Sequence, residues 1–397
     1  MFDHLQPVPP DPILGLTTAF AQDPNPKRVN LGVGVYRDDR GRTPTLAAVR
    51  AAEARLLEED APKTYLPITG AAEYGAHVQR LLFADGPIVQ EGRAVTAHSP
   101  GGTGGLRVVG DFVRKHRPGA RIWVSTPTWA NHHGVFGAAG LDIVDYPYLD
   151  AATHGLDFSG MMSALSKAPE GDIVLLHGCC HNPSGIDPSP GQWEELAGVL
   201  VDRSLVPLFD VAYQGFGAGL EEDVAGLRTV AGRSPELFVV SSFSKNFGLY
   251  NERVGAVTLV ARDRTKATAA KGHLERVIRT NFSNPPRHGE AVVLTILDDE
   301  TLTAAWTEEL AAMRGRIAGM RQAFVEGLQG AGISRDFGFI NAQNGMFSMS
   351  GLSRAQVDAL RDEHSIYIVG SGRINVAGLT TETLDYVCEA MAKVLAA

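Results

Sequence analysis

The run Ser241-Ser-Phe-Ser-Lys-Asn-Phe-Gly-Leu-Tyr-Asn-Glu-Arg253 sets a lysine among hydroxyls, aromatics and a glycine, directly after a strand-like stretch. Most lysines are solvated surface charges, and taken alone Lys245 is open to that reading. The chemical reading is an amine whose pKa falls on burial, so that it attacks a carbonyl and forms a Schiff base. Arg253, at the end of the same run, is a permanent cation of the kind that holds a phosphate. A carboxylate, Asp210 in Phe209-Asp-Val-Ala-Tyr213, closes another strand-like stretch. If buried it needs a cationic partner, and a protonated pyridine nitrogen is one, with Tyr213 beside the same ring. A helix N-cap is the alternative role for this aspartate.

Further segments add donors. Ser99-Pro-Gly-Gly-Thr-Gly-Gly105 opens a helical pattern, and free N–H groups at a helix start attract a phosphate. It lacks both the Walker A lysine and the Gly-x-Gly-x-x-Gly spacing of dinucleotide sites. Trp129, in Thr126-Pro-Thr-Trp-Ala-Asn-His132, could stack on a flat ligand or fill a core. His177-Gly-Cys-Cys-His-Asn-Pro-Ser-Gly185 imitates a metal site, but its spacing is wrong for zinc. A turn that presents the Asn182 amide to a ligand accounts for it better. Arg279 and Arg373 are either surface cations or captors of a carboxylate.

These residues need elements to position them. Strand-like runs cover Arg121–Ser125, Ile173–His177, Leu205–Asp210, Leu237–Ser241 and Val254–Val260, with helical patterns such as Gln192–Val201 between them. Alternation of this kind predicts βαβ units and a mainly parallel sheet, in which active residues gather at the carboxyl ends of strands. Upstream, a proline-rich stretch leads through a short helix to the glycine segment Asn30–Tyr36, and a helix follows over Leu46–Leu57. Downstream, a long helix over Leu302–Leu328 precedes a helix at 354–363, short strands at 366–369 and 373–376, and a last helix at 381–395.

The chain has 397 residues, enough for two domains of roughly 150 or more residues each. With 44% hydrophobic residues it can build a core, and its net charge of −9 argues against a nucleic-acid or anionic-membrane binder. The N-terminus lacks signal-peptide character, and no apolar run suits a membrane span. Three cysteines, two of them adjacent, make no disulfide framework and fit a reducing cytoplasm. Glycine, at 44 residues, points to many tight turns and close backbone approaches.

Together and in this order, the segments resemble the aspartate and aromatic aminotransferases, class I members of the fold-type I pyridoxal-phosphate enzymes. The likeness runs from Leu31-Gly-Val-Gly-Val-Tyr36 to Gly378, and is densest over His177–Gly185 with Asp187, Asp210–Leu220 and Ser244–Gly255. It implies an α/β fold with an arm at 1–12 and a large cofactor domain at 45–309, a mainly parallel seven-stranded sheet between helices. A smaller α/β domain would combine 13–44 with 310–397.

The resemblance also assigns roles. Pyridoxal 5'-phosphate would be the cofactor, with Lys245, Asp210 and Tyr213 as the catalytic set. Lys245 would form the internal aldimine and shuttle the substrate's α-proton. Asp210 would pair with the pyridine nitrogen, backed by His132, while Tyr213 and Asn182 would hydrogen-bond the phenolic oxygen. Trp129 would stack on the ring. Gly102, Thr103, Ser242 and Arg253 would hold the phosphate, joined by Tyr65 of the partner subunit. Arg373 would bind the substrate's α-carboxylate near Gly34, Trp129 and Asn182, and Arg279 of the partner subunit would bind a distal carboxylate. No metal is implied.

The implied activity is ping-pong transamination between L-aspartate, with aromatic L-amino acids as further donors, and 2-oxoglutarate. An enzyme preferring aromatic substrates is the alternative. Of the pocket positions Val35, Arg37, Thr43, Thr64, Thr103 and Asn284, most follow the aspartate pattern; Thr64 departs from it, and Arg37 replaces a lysine with its charge kept. The implied molecule is a cytoplasmic homodimer with shared active sites.

Overall fold

The computed structural model of the chain describes residues 2–8 and 14–396. Residues 1 and 9–12 of the expected arm, and 13 and 397 of the expected smaller domain, lie outside them. The chain forms two compact units: Met1–Thr43 with Arg316–Ala397, and Pro44–Gly315. The unit boundary falls inside one long helix, Glu300–Gly330.

In the first unit the helix Leu14–Gln22 precedes a short strand, β1 (Val29–Asn30). The second is organised by seven strands: β2 (Ala94–Pro100), β3 (Ile122–Thr126), β4 (Ile143–Pro147), β5 (Ile173–His177), β6 (Val206–Val211), β7 (Leu237–Ser242) and β8 (Val254–Val260). They form one sheet in the order β2-β8-β7-β6-β5-β3-β4. β8 runs antiparallel to both neighbours, and the remaining pairs are parallel. Every residue of β7 and β8 is buried, as expected of strands covered by helices on both faces. One core cluster joins Leu208, Val240 and Val257 of these strands to Leu106 and Val109 of the helix Gly101–His116, and to Leu274 and Ile278 of the helix Arg264–Asn281.

Local chemistry sets the helix starts. Ser189 and Gln192 make a reciprocal capping box at the helix Pro190–Asp202, which also has proline in its first turn. Asp263 caps Arg264–Asn281 by accepting from the Lys266 N–H.

The first unit also contains β9 (Phe347–Met349), β10 (Ile366–Tyr367) and β11 (Arg373–Asn375), and its last element is the helix Thr381–Ala396. The two short strands expected near the C-terminus do not pair with each other. β10 pairs in parallel with β1, and β11 runs antiparallel to β9. Residues from both chain ends, among them Leu31, Phe324, Ile366, Ile374 and Met391, share its core. Among the described residues no helix is long and apolar enough to cross a membrane.

Two strands of the large sheet, β2 and β4, are absent from the sequence reading, and both are edge strands. Only three of the seven positions of β2 are buried, and β4 exposes Asp145 and Pro147. Edge strands carry charge and proline because one side lacks a partner, so their hydrophobic signal is weak.

Candidate active site

β5, β6 and β7 lie side by side, and their carboxyl ends present His177, Asp210 and the turn that carries Lys245. Asp210 faces His177 in register, and its side chain is 12% exposed. The His132 Nε2 lies 3.1 Å from Asp210 Oδ2, and its Nδ1 lies 2.8 Å from the Thr128 hydroxyl. An ionised carboxylate can only accept, so Nε2 donates to it. Burial pushes the Asp210 pKa up, but the His132 hydrogen bond and the nearby His132, His177 and Lys245 outweigh it and hold the pKa below its usual value. The result is a buried anion braced from behind by a fully buried imidazole.

The Lys245 turn is held from several sides. Phe243 and Phe247 flank it as buried anchors, packed edge to face with centroids 5.4 Å apart. Phe247 stacks on Trp306 at 4.3 Å, and the Trp306 indole N–H donates to the Asn246 carbonyl at 2.7 Å. The Asn246 amide donates in turn to the Gln214 carbonyl. The Lys245 Nζ lies 4.8 Å from the centre of the Tyr213 ring. The Asn182 amide donates to the Tyr213 hydroxyl at 3.4 Å, which brings Lys245, Tyr213 and Asn182 into one constellation. The Trp129 ring stands edge-on to His132, with centroids 5.2 Å apart.

A third group suits an anion. The helix Gly101–His116 starts without a side-chain cap, which leaves the N–H groups of its first turn to another acceptor. Gly101 has φ +68°, and a Cβ there would collide with the Arg253 guanidinium. A Cβ on Gly102 would lie 3.2 Å from the Ser242 Cβ. Arg253 donates to the Tyr250 carbonyl at 3.0 Å and to the Ser244 hydroxyl at 3.4 Å. Two hydroxyls, a guanidinium and a bare helix start thus meet where only glycine leaves room. This is the chemistry of a phosphate cradle.

Histidine and cysteine residues in this region are engaged in hydrogen bonds. His177 Nδ1 accepts from the Asn182 backbone N–H at 2.9 Å. His181 stacks on Tyr148 at 3.8 Å and bonds Ser125 and Ser184 through its two ring nitrogens. Two groups bring ligand-type atoms within 4.8 Å of one another, His132-His177-Asp210 and Cys179-Cys180-Asp223. In the first, His132 and Asp210 are bonded to each other. In the second, Asp223 accepts the N–H groups of Gly215, Gly217, Ala218 and Gly219, which makes it a loop clamp.

The other expected residues divide between the two units. In the smaller unit, buried Arg373 (4% exposed) donates to the Gly32 carbonyl at 2.6 Å, and its guanidinium lies 4.1 Å from the Phe347 ring centre. A Cβ on Gly34 would come 2.7 Å from that same ring, so glycine is required beside Arg373. In the larger unit, Tyr65 is 92% exposed, and Arg279 is exposed with its guanidinium on the Ser283 hydroxyl. The Asn284 amide donates to the Leu66 carbonyl at 2.8 Å and ties the segments of these two residues together. Thr128, His177 and Ser244 were not expected at the site. The four-residue spacing of Thr128 from His132 was an available signal, whereas the place of His177 follows from the strand register that sets it beside Asp210.

The donor set fits pyridoxal phosphate: an anionic carboxylate for a ring nitrogen, a tyrosine–asparagine pair for a ring oxygen, a phosphate cradle, and an amine beside them. Comparison with known proteins agrees. A family model described as aminotransferase class I and II matches residues 26–391. The aspartate aminotransferase of Escherichia coli (strain K12) is 52% identical over 396 residues, covering 100% of each chain. The aromatic-amino-acid aminotransferase of Pseudomonas aeruginosa is 47% identical, covering 100% of this chain and 99% of that one. The crystal structure of an aromatic-amino-acid aminotransferase from Burkholderia pseudomallei, covalently bound to pyridoxal phosphate, superposes with a TM-score of 0.97 at 50% identity, covering 100% of this chain and 99% of that one.

Proposed function

The chain belongs to the aminotransferase class I and II family, and from that premise we propose that it is a pyridoxal-phosphate-dependent transaminase exchanging amino groups between L-aspartate and 2-oxoglutarate. The observation that carries this reading is the Lys245 amine beside Tyr213 and Asn182, next to the anionic Asp210 and the Arg253 cradle.

Bound pyridoxal phosphate supplies a carbonyl carbon for amine exchange and a protonated ring that draws electrons from the substrate α-carbon. Asp210, fixed by His132, holds the proton on the ring nitrogen. Tyr213 and Asn182 would hydrogen-bond its ring oxygen, and Trp129 would offer it an aromatic surface. Gly102, Thr103, Ser242 and Arg253 hold the phosphate, and Ser244 steadies Arg253. The Lys245 Nζ takes the substrate's α-proton and returns it, as general base and then general acid. Arg373 takes the α-carboxylate, with Gly34 leaving room beside it.

Arg279 and Tyr65 complete the site from the partner subunit of a homodimer. Their exposure on the larger unit and the Asn284 tie between their segments support this assignment. Arg279 is the residue that would select a dicarboxylic substrate. The aromatic alternative is favoured by the Pseudomonas aeruginosa and Burkholderia pseudomallei relatives. Two measurements test the reading. Lys245→Ala should lose the greater part of its turnover with aspartate and 2-oxoglutarate, and turnover near wild type would overturn the mechanism. The ratio of kcat/KM for aspartate to that for tyrosine and phenylalanine should exceed one, and a ratio below one would establish the aromatic alternative.

A further inference from the structure

The opposite edge of the large sheet, at the amino ends of β5, β6 and β7, carries a cleft of about 330 Å³. This is within the size range of small-molecule sites, ~300–1,000 Å³. Its floor is apolar: Ile173, Val206, Leu237 and Phe238, the residues that open or begin those strands. The floor residues Ile173 and Val206 stand four residues before His177 and Asp210 on the same strands, roughly 13 Å away at about 3.3 Å per residue. The cleft is therefore distinct from the active site.

We propose that this cleft binds a small aryl-substituted monocarboxylate. One wall is aromatic: Phe112 packs against Phe238 at 5.7 Å and against His116 at 4.6 Å, and His116 meets His273 edge to face at 4.6 Å. An aryl group suits such a wall through stacked or edge-on contact. The rim sets the other end of the ligand. Arg117 and Lys266 line the cleft together with one carboxylate, Glu236, so the fixed side-chain charges at the rim sum to a net positive one. The Arg117 guanidinium lies over the Gly171 backbone, where a Cβ would come 2.7 Å from both terminal nitrogens. A guanidinium can pair with a carboxylate through two parallel hydrogen bonds. Apolar floor, aromatic wall and cationic rim match a ring joined to one carboxylate by a short chain.

The probe is 4-phenylbutyrate, titrated into the holoenzyme by calorimetry with the visible spectrum recorded at each step. Saturable binding with an unchanged spectrum is expected. Lys266→Glu and Arg117→Glu should each weaken binding by roughly fivefold, the scale of one exposed ion pair. Ala270→Phe, which fills the cleft, should abolish binding. The uncharged 4-phenylbutan-1-ol should bind more weakly than the acid, and excess succinate should not displace the probe. The proposal fails if the charge-reversal variants bind as wild type, or if the alcohol binds as well as the acid. It fails equally if succinate competes or the spectrum shifts, which would put the probe in the catalytic site. Should Ala270→Phe not fold, the charge-reversal variants on the exposed rim decide the matter. The charge-reversal and alcohol outcomes stand whether or not the transaminase reading holds, whereas the spectral and succinate outcomes rest on that reading.

Discussion

Asp210 keeps its charge in a buried setting because His132 donates to it and two further basic groups stand near. His177 meets the opposite fate. Burial and the neighbouring His132 lower its pKa to about 3, against a smaller opposing pull from Asp210. An unfolded histidine titrates near ~6.5, so between the two values the unfolded chain binds more protons than the folded one. Stability contributed by neutral His177 is therefore complete above the unfolded value and lost as pH falls toward the folded one. His177→Asn keeps an acceptor for the Asn182 N–H. We expect it to reduce the fall in melting temperature between about pH 7 and pH 5, and equal slopes for the two proteins would refute the assignment. Asp210, with its pKa lowered from 3.8, titrates below that window. Lys245, Asp210 and Arg253 were legible in the sequence because each sits in a short, dense motif. The place of His177 was not, because it depends on which strands are neighbours and in which register.

At the scale of elements, glycine has two opposite uses here. Gly255, the second residue of β8, lies against the start of the helix Gly101–His116, and a Cβ there would lie 2.7 Å from both the Gly101 carbonyl carbon and the Ser241 oxygen. Backbone on both sides cannot yield cheaply, so Gly255→Ala should destabilise the chain by about 1–3 kcal/mol and loosen the phosphate cradle. A lower urea midpoint with weaker cofactor retention would be the signature; wild-type values for both would contradict it. Gly272 lies exposed within Arg264–Asn281, and a Cβ there meets nothing within 4 Å. Gly272→Ala should raise stability by about 0.5–1 kcal/mol through helix propensity alone, and a lower midpoint would contradict it. Central strands were legible because they are apolar throughout: the sequence reading of Ile173–His177 and Val254–Val260 matches β5 and β8 to the residue. Edge strands and the pairing of β1 with β10 were not, since short two-residue strands leave no periodicity to read.

The whole molecule is acidic, yet three arginines are assigned to its anionic ligands: Arg253, Arg279 and Arg373. If Arg279 and Tyr65 serve the partner's site, damage to the two contributions can be separated between subunits. Arg373→Ala subunits and Tyr65→Phe/Arg279→Ala subunits should each be poorly active on dicarboxylates, while a refolded mixture should regain part of the activity through hybrid dimers carrying one intact site. A mixture no better than its parents would argue against shared sites. The smaller unit has a further consequence through its hydrogen bond from Arg373 to Gly32, which spans 341 residues of chain. During synthesis at about 5–20 residues per second, the backbone carbonyl that supports Arg373 emerges early and waits tens of seconds for it. The larger unit, continuous in sequence, is made in full during that interval. A nascent chain can thus assemble its proposed phosphate cradle before it has made Arg373, the residue proposed for the substrate's α-carboxylate.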